Sequence, residues 1–187
     1  MIDLSRIEKI MKDISYGYTD KNGTVHTDFG PEFSDYRLQS PEELLKSKYG
    51  ICWDTVELQR ELLKEYNPQT YFVVYYDDYK CPSHTFITFE KNGKFYWYEY
   101  SWEMYRGLHE YDLMQDLINI LAEKHLKKCI KWDGVKNPDV MQLCVYKYSK
   151  PEYGIPMEDF GKHCESGEIV SYYIDLKKII SSIEGEK

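Results

Sequence analysis

One cysteine, Cys52, occupies a position at which a thiol could act as a nucleophile. It follows Gly50 and Ile51 at the start of a predicted helix. The first turn of a helix has unpaired N–H groups and a partial positive charge, and this environment favours the thiolate. The backbone N–H of Cys52 could also stabilise an oxyanion. Position alone favours a buried structural cysteine, so the hypothesis needs a base and an orienting group.

His84 is the best candidate for that base. The other histidines are His26, His109, His125 and His163, and only His84 lies at the start of a clear strand, SHTFITFE. Cys81 and His84 have the C-x-x-H spacing of half a zinc site. No second pair at ligand spacing accompanies them, so the sequence predicts no metal.

Glu99 could orient the imidazole. Asn92-Gly93 predicts a two-residue hairpin in which Lys91 pairs with Lys94. In that register His84 lies opposite Ser101, and Glu99 is its diagonal neighbour, with backbones roughly 7–8 Å apart. A carboxylate in this aromatic strand needs a partner, which His84 could provide. The alternative is that a bulge or a strand edge turns Glu99 to solvent.

These three residues depend on elements that the sequence pattern also predicts. A helix that begins after Ser40, with Pro41 next and Glu43 at the third position, is expected to stop at Gly50. The other predicted elements are helices over 3–15, 52–66 and 111–126, weaker helices over 159–164 and 176–183, and strands over 70–76, 83–90, 94–102 and 141–148, with residues 16–39 and 131–139 as loops.

Composition limits the class of protein. With 187 residues and no linker or repeat, one α+β domain over residues 1–187 is expected. The net charge of −8 argues against nucleic-acid binding and favours a neutral or basic partner. Five scattered cysteines and a charged N-terminus without an apolar region predict reduced thiols in the cytoplasm and no membrane segment. Neither a nucleotide-binding nor a metalloprotease motif is present, so no cofactor is expected.

The order of cysteine, histidine strand and acidic strand resembles the transglutaminase-like, papain-like fold group, and within it a bacterial subfamily. The resemblance is carried by Lys48-Tyr49-Gly50-Ile51-Cys52-Trp53-Asp54, Ser83-His84-Thr85-Phe86 and Phe95-Tyr96-Trp97-Tyr98-Glu99, within a core of about residues 40–105. Glu99 stands where the family commonly has Asp.

This resemblance implies a nucleophile helix packed on an antiparallel sheet and a cysteine acyl-transfer enzyme. Cys52 would attack an amide or ester carbonyl, His84 would transfer the proton, and Glu99 would orient the imidazole. The substrate would be a peptide or protein amide, and the outcome hydrolysis, deamidation or transamidation. The alternative is a binding module for a peptide or protein on the same fold, with a silent site. The sequence identifies neither a second oxyanion donor nor the oligomeric state.

Overall fold

The structure is a computed structural model that describes residues 4–76, 82–131, 142–170 and 181. It confirms an α+β fold with an antiparallel sheet. The helices and strands are α1 (Ser5–Met11), β1 (Ser15–Tyr16), β2 (Tyr18–Thr19), β3 (Val25–His26), α2 (Pro41–Ser47), β4 (Tyr49–Gly50), α3 (Cys52–Leu62), β5 (Gln69–Tyr76), β6 (Ser83–Lys91), β7 (Lys94–Glu99), β8 (Gly107–Tyr111), α4 (Met114–Lys131), β9 (Gln142–Tyr148), α5 (Met157–Glu165) and β10 (Glu168–Ile169).

Six of the strands form one sheet in the order β10-β9-β5-β6-β7-β8, with every neighbouring pair antiparallel. Helix α3 contributes Val56 and Leu58 to a core cluster that includes Ile87 and Phe89 of β6. Helix α4 packs in a different core cluster, which includes Phe86 of β6. Because successive side chains of a strand point to opposite faces, α3 and α4 cover opposite sides of β6.

The β6–β7 hairpin has the predicted register. Lys91 pairs with Lys94, and the pairing continues to Ile87 and Tyr98. The two turn residues, Asn92 and Gly93, have φ angles of 55° and 74°. Positive φ at both central residues is what a type I′ turn requires, and this turn matches the twist of the flanking strands. The Asn-Gly dipeptide therefore determines which residues of β6 and β7 share a face.

The short helix α2 begins as predicted but ends differently. Ser40 caps it by accepting the Glu43 N–H, and the Glu43 carboxylate accepts the Ser40 N–H at 2.8 Å. The prediction that Gly50 stops this helix is wrong, because the left-handed residue that ends it is Lys48, with φ 63°. Gly50 instead lies in β4, paired with Tyr16 of β1.

Other boundaries differ from the pattern in informative ways. The stretch expected to be a loop over 16–39 contains the β2–β3 ladder and a 3₁₀ turn over Pro31–Asp35. Strand β7 ends at Glu99, three residues before the predicted end, and a further 3₁₀ turn, Glu103–Tyr105, leads into β8. The predicted helix over 176–183 lies outside the described residues except for residue 181. Every helix in the described part of the chain is too short or too polar to cross a bilayer.

Candidate active site

Cys52 is the first residue of α3, as the sequence predicts. Its preceding residue, Ile51, is extended, and the intrahelical bonds begin with the Thr55 N–H donating to the Ile51 carbonyl. The first N–H groups of a helix have no carbonyl partner within it. The Cys52 thiol therefore lies beside donors and the positive end of the helix dipole, with 8% of the residue accessible.

His84 lies between the thiol and the carboxylate. Its Nε2–H donates to Glu99 Oε2 at 2.9 Å, and the Cys52 thiol lies close enough to the ring to raise its pKa. Because Nε2 is hydrogen-bonded to Glu99, Nδ1 is the ring nitrogen that can interact with the thiol. The residues His84 and Glu99 are each 2% accessible. The structure thus brings together the three residues that the sequence singled out.

Trp102 contacts both His84 and Glu99. The sequence pattern did not identify Trp102 as part of the site. Its backbone N–H donates to Glu99 Oε1 at 2.9 Å, so both carboxylate oxygens are engaged. Its indole stacks on the imidazole of His84 with ring centroids 4.0 Å apart and planes 9° from parallel. An indole face favours a cationic ring and keeps water away from it. Trp102 therefore orients the carboxylate and covers the imidazole.

The electrostatic balance at His84 favours the imidazolium. Burial lowers the pKa of His84, but the Glu99 carboxylate and the Cys52 thiol raise it more, to about 9. A positively charged ring next to a thiol stabilises the thiolate, and a carboxylate on the far nitrogen stabilises the positive ring. The arrangement can thus hold a thiolate–imidazolium pair at neutral pH.

A second buried carboxylate, Asp54, fixes the start of the nucleophile helix. Its Oδ1 accepts from the Tyr36 hydroxyl and the Gln39 N–H, both at 2.9 Å, and its Oδ2 accepts from the Ile51 N–H at 2.9 Å. Burial raises the pKa of Asp54 to about 7 despite these hydrogen bonds. An acidic residue at the third helical position is a sequence signal that could have revealed this role.

One predicted neighbour is placed differently. Because β7 ends at Glu99, the expected ladder pairing of His84 with Ser101 is wrong. The Ser101 hydroxyl instead hydrogen-bonds with Thr55 Oγ1 at 2.8 Å, and Thr55 Oγ1 donates to the Cys52 carbonyl at 3.1 Å. The segment after β7 is thereby attached to the first turn of α3, which keeps the thiol close to His84.

The other four histidines have different partners. His109, His125 and His163 each hydrogen-bond to a backbone carbonyl, at 2.6, 3.1 and 2.9 Å. His26 pairs with Asp20 at 3.1 Å. Burial and the nearby His84 lower the pKa of His125 to about 3, so His125 is neutral. These contacts explain the four residues as parts of the fold.

Two of the other thiols are buried, and the Gln39 side chain has partners of its own. Cys129 and Cys164 are fully buried, and burial raises the pKa of Cys164. Cys81, the partner in the possible zinc half-site, lies outside the described residues. The Gln39 side chain donates to the Tyr49 carbonyl at 2.7 Å and accepts from Ser47 at 2.7 Å, so it braces the turn after α2.

The comparisons agree with this geometry. A family described as a transglutaminase-like domain matches residues 4–135, more than two thirds of the chain. The matched segment includes Cys52, His84, Glu99 and Trp102. A search of curated proteins returned no match.

Proposed function

We propose that this chain, which belongs to the transglutaminase-like domain family, is a cysteine-dependent acyl-transfer enzyme. The observation that carries the proposal is the buried contact chain from the Cys52 thiol through the imidazole of His84 to the Glu99 carboxylate. A structural cysteine needs neither an imidazole on its sulfur nor a carboxylate on the far ring nitrogen. Nucleophilic catalysis by a thiol uses both.

The proposed reaction begins with transfer of the Cys52 thiol proton to His84. The thiolate adds to an amide or ester carbonyl, and the N–H groups at the start of α3 stabilise the resulting oxyanion. The tetrahedral intermediate collapses to a thioester as the imidazolium returns its proton to the leaving amine or alcohol. Water or another amine then attacks the thioester, which regenerates the thiol and gives hydrolysis, deamidation or transamidation.

Peptide and protein amides are the substrates that this chemistry fits best. The amide carbonyl supplies the acyl group, and a leaving amine needs the proton that His84 holds. A nucleophilic thiol must stay reduced, so we place the reaction in the cytoplasm. In the described residues Cys52, Cys129, Cys144 and Cys164 are all free thiols.

An acyl-trapping experiment tests the proposal. We expect p-nitrophenyl acetate to acetylate Cys52, as shown by peptide mapping and by loss of the adduct in hydroxylamine. We expect Cys52→Ala to abolish the adduct and His84→Ala to slow its formation roughly 100-fold. His163→Ala, the same change at a histidine that bonds to the Ser149 carbonyl, should leave the rate unchanged.

Iodoacetamide gives an independent readout that does not need an acyl donor. In the native protein Cys52 should react before Cys129 and Cys164, which are fully buried. A Cys52 that stays unlabelled and unacylated until the protein unfolds would contradict the proposal. That result would favour a binding module on the same fold.

A further inference from the structure

A buried histidine of α4 approaches the candidate active site from outside the segment 52–99 that carries its three residues. His125 is 1% accessible, and its ring centroid lies 5.9 Å from that of Trp102, with the two planes 14° from parallel. The same indole lies 4.0 Å from the imidazole of His84, with planes 9° from parallel. Trp102 therefore has two imidazole neighbours, one from β6 and one from α4.

His125 also contacts the chain just before His84. Its Nε2 lies 3.1 Å from the Pro82 carbonyl oxygen, and Pro82 immediately precedes β6. A ring nitrogen that bonds to a carbonyl must donate, so Nε2 carries the hydrogen and Nδ1 has the lone pair in the neutral ring. The Tyr75 N–H donates to the same carbonyl at 3.0 Å. One side chain of α4 thus joins the start of the strand that carries His84 to the indole that stacks on it.

Core packing alone does not explain a histidine at this position. The Nδ1 atom of His125 is buried and has no hydrogen-bond partner in the part of the chain that the structure describes. A buried acceptor without a partner costs free energy, whereas an apolar side chain of similar size would fill the space without that cost. Burial and the nearby His84 also keep the ring neutral, with a pKa lowered to about 3. Such a conflict between a residue and its environment is typical of functional positions.

Trp102 needs a contact of this kind because the core does not enclose it on every side. It is half-buried, and together with Lys124 it lines a groove of about 600 Å³ between α4 and residues 101–105. It also lies three residues beyond the end of β7, outside the sheet. The contact with His125 is therefore placed to limit the movement of the indole that covers His84.

We propose that His125 is a positioning residue of the candidate active site, because it holds the Trp102 indole and the start of β6 in place. In this way it keeps the imidazole of His84 aligned with the Cys52 thiol and the Glu99 carboxylate. The inference rests on the proposed function. Without His125 the indole would move, water would reach the imidazole, and the hydrogen bond to the carboxylate would weaken. The thiolate–imidazolium pair would then form less readily at neutral pH.

The pH dependence of Cys52 alkylation tests the proposal. Ionisable neighbours of His84 in the described residues include Cys52 of α3, Glu99 of β7 and His125 of α4. Because iodoacetamide reacts with the thiolate, the rate should rise at the pH where the thiolate forms. We expect His125→Leu, which removes both contacts, to move this rise up by about one pH unit and to slow alkylation at pH 7 roughly tenfold. At pH 10, where the thiolate forms without the imidazolium, the rates of variant and wild type should agree within about twofold.

Two further substitutions separate the contacts of His125. His125→Phe retains an aromatic ring beside Trp102 but cannot donate to the Pro82 carbonyl, whereas His125→Gln retains a donor but no ring. Each should shift the pH profile by less than His125→Leu does, and the two variants decide the question if His125→Leu does not fold. Intact-mass kinetics with peptide mapping measure the rates.

Leu117→Ala is the matched control for loss of packing on α4. Leu117 is fully buried on the same helix, eight residues before His125 and therefore about 12 Å away along the axis. The substitution should lower the free energy of unfolding, as measured in urea, and leave the pH profile of alkylation unchanged.

The outcomes separate this inference from the proposed function. If wild-type Cys52 reacts at neutral pH and the His125 variants have the same pH profile, this inference alone is overturned. A shift of equal size in Leu117→Ala would also overturn it, because loss of packing on α4 would then be sufficient. A wild-type Cys52 that is inert to both iodoacetamide and p-nitrophenyl acetate would contradict the proposed function itself.

Discussion

At the scale of single residues, the protonation state of the His84 ring determines what the site can do. Without a neighbouring negative charge, burial would keep this imidazole neutral, as it keeps His125 neutral. Glu99 reverses the balance, and Trp102 keeps its carboxylate in place through the backbone N–H. The negative charge of Glu99 therefore favours the Cys52 thiolate indirectly, because it stabilises the protonated imidazole between them.

The substitution Glu99→Gln tests whether the charge of Glu99 controls the reactivity of Cys52 through the pKa of His84. The amide retains the size of the carboxylate but loses its charge, so the pKa of His84 should fall and fewer thiolate–imidazolium pairs should exist at pH 7. We expect alkylation of Cys52 by iodoacetamide to slow roughly tenfold or more. Stopped-time alkylation between pH 5 and 10 measures the effect, which should be largest near neutral pH.

Glu90→Gln is the matched control, since Glu90 lies on β6 and is exposed. It should leave the alkylation rate and its pH profile unchanged. An unaltered profile in Glu99→Gln would show that the carboxylate does not govern the imidazole.

At the scale of elements, the approach of α2 to α3 determines where the nucleophile helix begins. Gly50 lies between them, and a Cβ added there would lie 2.6 Å from Leu44 Cδ1 and 3.0 Å from Asp54 Cβ. Leu44 belongs to the core, and the Asp54 carboxylate accepts the Ile51 N–H just before Cys52. Close packing therefore favours glycine here, whereas the helix end depends on Lys48.

Gly50→Ala should disturb this junction. Because the added methyl must displace Leu44 or Asp54, we expect the free energy of unfolding to fall by about 1–3 kcal/mol. Displacement of Asp54 should also misplace the Ile51–Cys52 backbone and slow acylation of Cys52. Urea denaturation and the p-nitrophenyl acetate assay measure the two effects.

Gly161→Ala provides the comparison within the same chain. Gly161 lies inside α5, and a Cβ there meets nothing within 4 Å. Alanine in a helix interior should stabilise the protein by about 0.5–1 kcal/mol and leave acylation unchanged. Equal effects of the two substitutions would show that packing at Gly50 is unimportant.

At the scale of the whole molecule, folding buries two ionisable groups and raises the pKa of each. At His84 burial lowers the pKa, but the Glu99 carboxylate and the Cys52 thiol outweigh it, whereas at Asp54 burial itself raises the pKa. The sheet with α3 and α4 on its two faces buries His84, and the α2–α3 junction buries Asp54. Both groups have a pKa that is raised in the folded state, so the folded protein binds more protons than the unfolded chain over a range of pH. Stability must then fall as pH rises.

The pH ranges for the two groups differ. The stabilisation from His84 is complete below pH 6.5 and is lost as pH rises through about 9. For Asp54 the loss extends from about pH 4 to about pH 7, because burial opposes its charged form. We expect His84 to account for about 3 kcal/mol of the change and Asp54 for about 4 kcal/mol. Urea denaturation from pH 4 to 9.5 measures the free energy of unfolding.

Two variants assign these ranges. Glu99→Gln should flatten the decrease between pH 6.5 and 9, and Asp54→Asn should flatten the decrease between pH 4 and 7. Each variant should retain the decrease in the other range. A wild-type protein whose stability is constant from pH 4 to 9 would contradict the assignment.

The sequence by itself determined the positions at which the key side chains stand along their elements. The Asn92-Gly93 turn specifies the β6–β7 register, which is paired as far as Ile87 and Tyr98 and leaves Glu99, the next residue of β7, within hydrogen-bond reach of His84. The helical pattern after Gly50 places Cys52 at the first turn of α3. Such features depend on local backbone preferences and on periodicity, which short stretches of sequence contain.

Only the tertiary structure decided which distant segments meet at these positions. The stacking of Trp102 on His84 depends on where β7 ends, and the groove that Trp102 and Lys124 line depends on how α4 packs beside the segment 101–105. The contacts of Asp54 with Tyr36 and Gln39 join parts of the chain that no local pattern relates. These features arise from long-range packing and from the loss of water on burial. Both depend on the complete fold, which is why the sequence pattern indicated a nucleophile and its base but not the residues that enclose them.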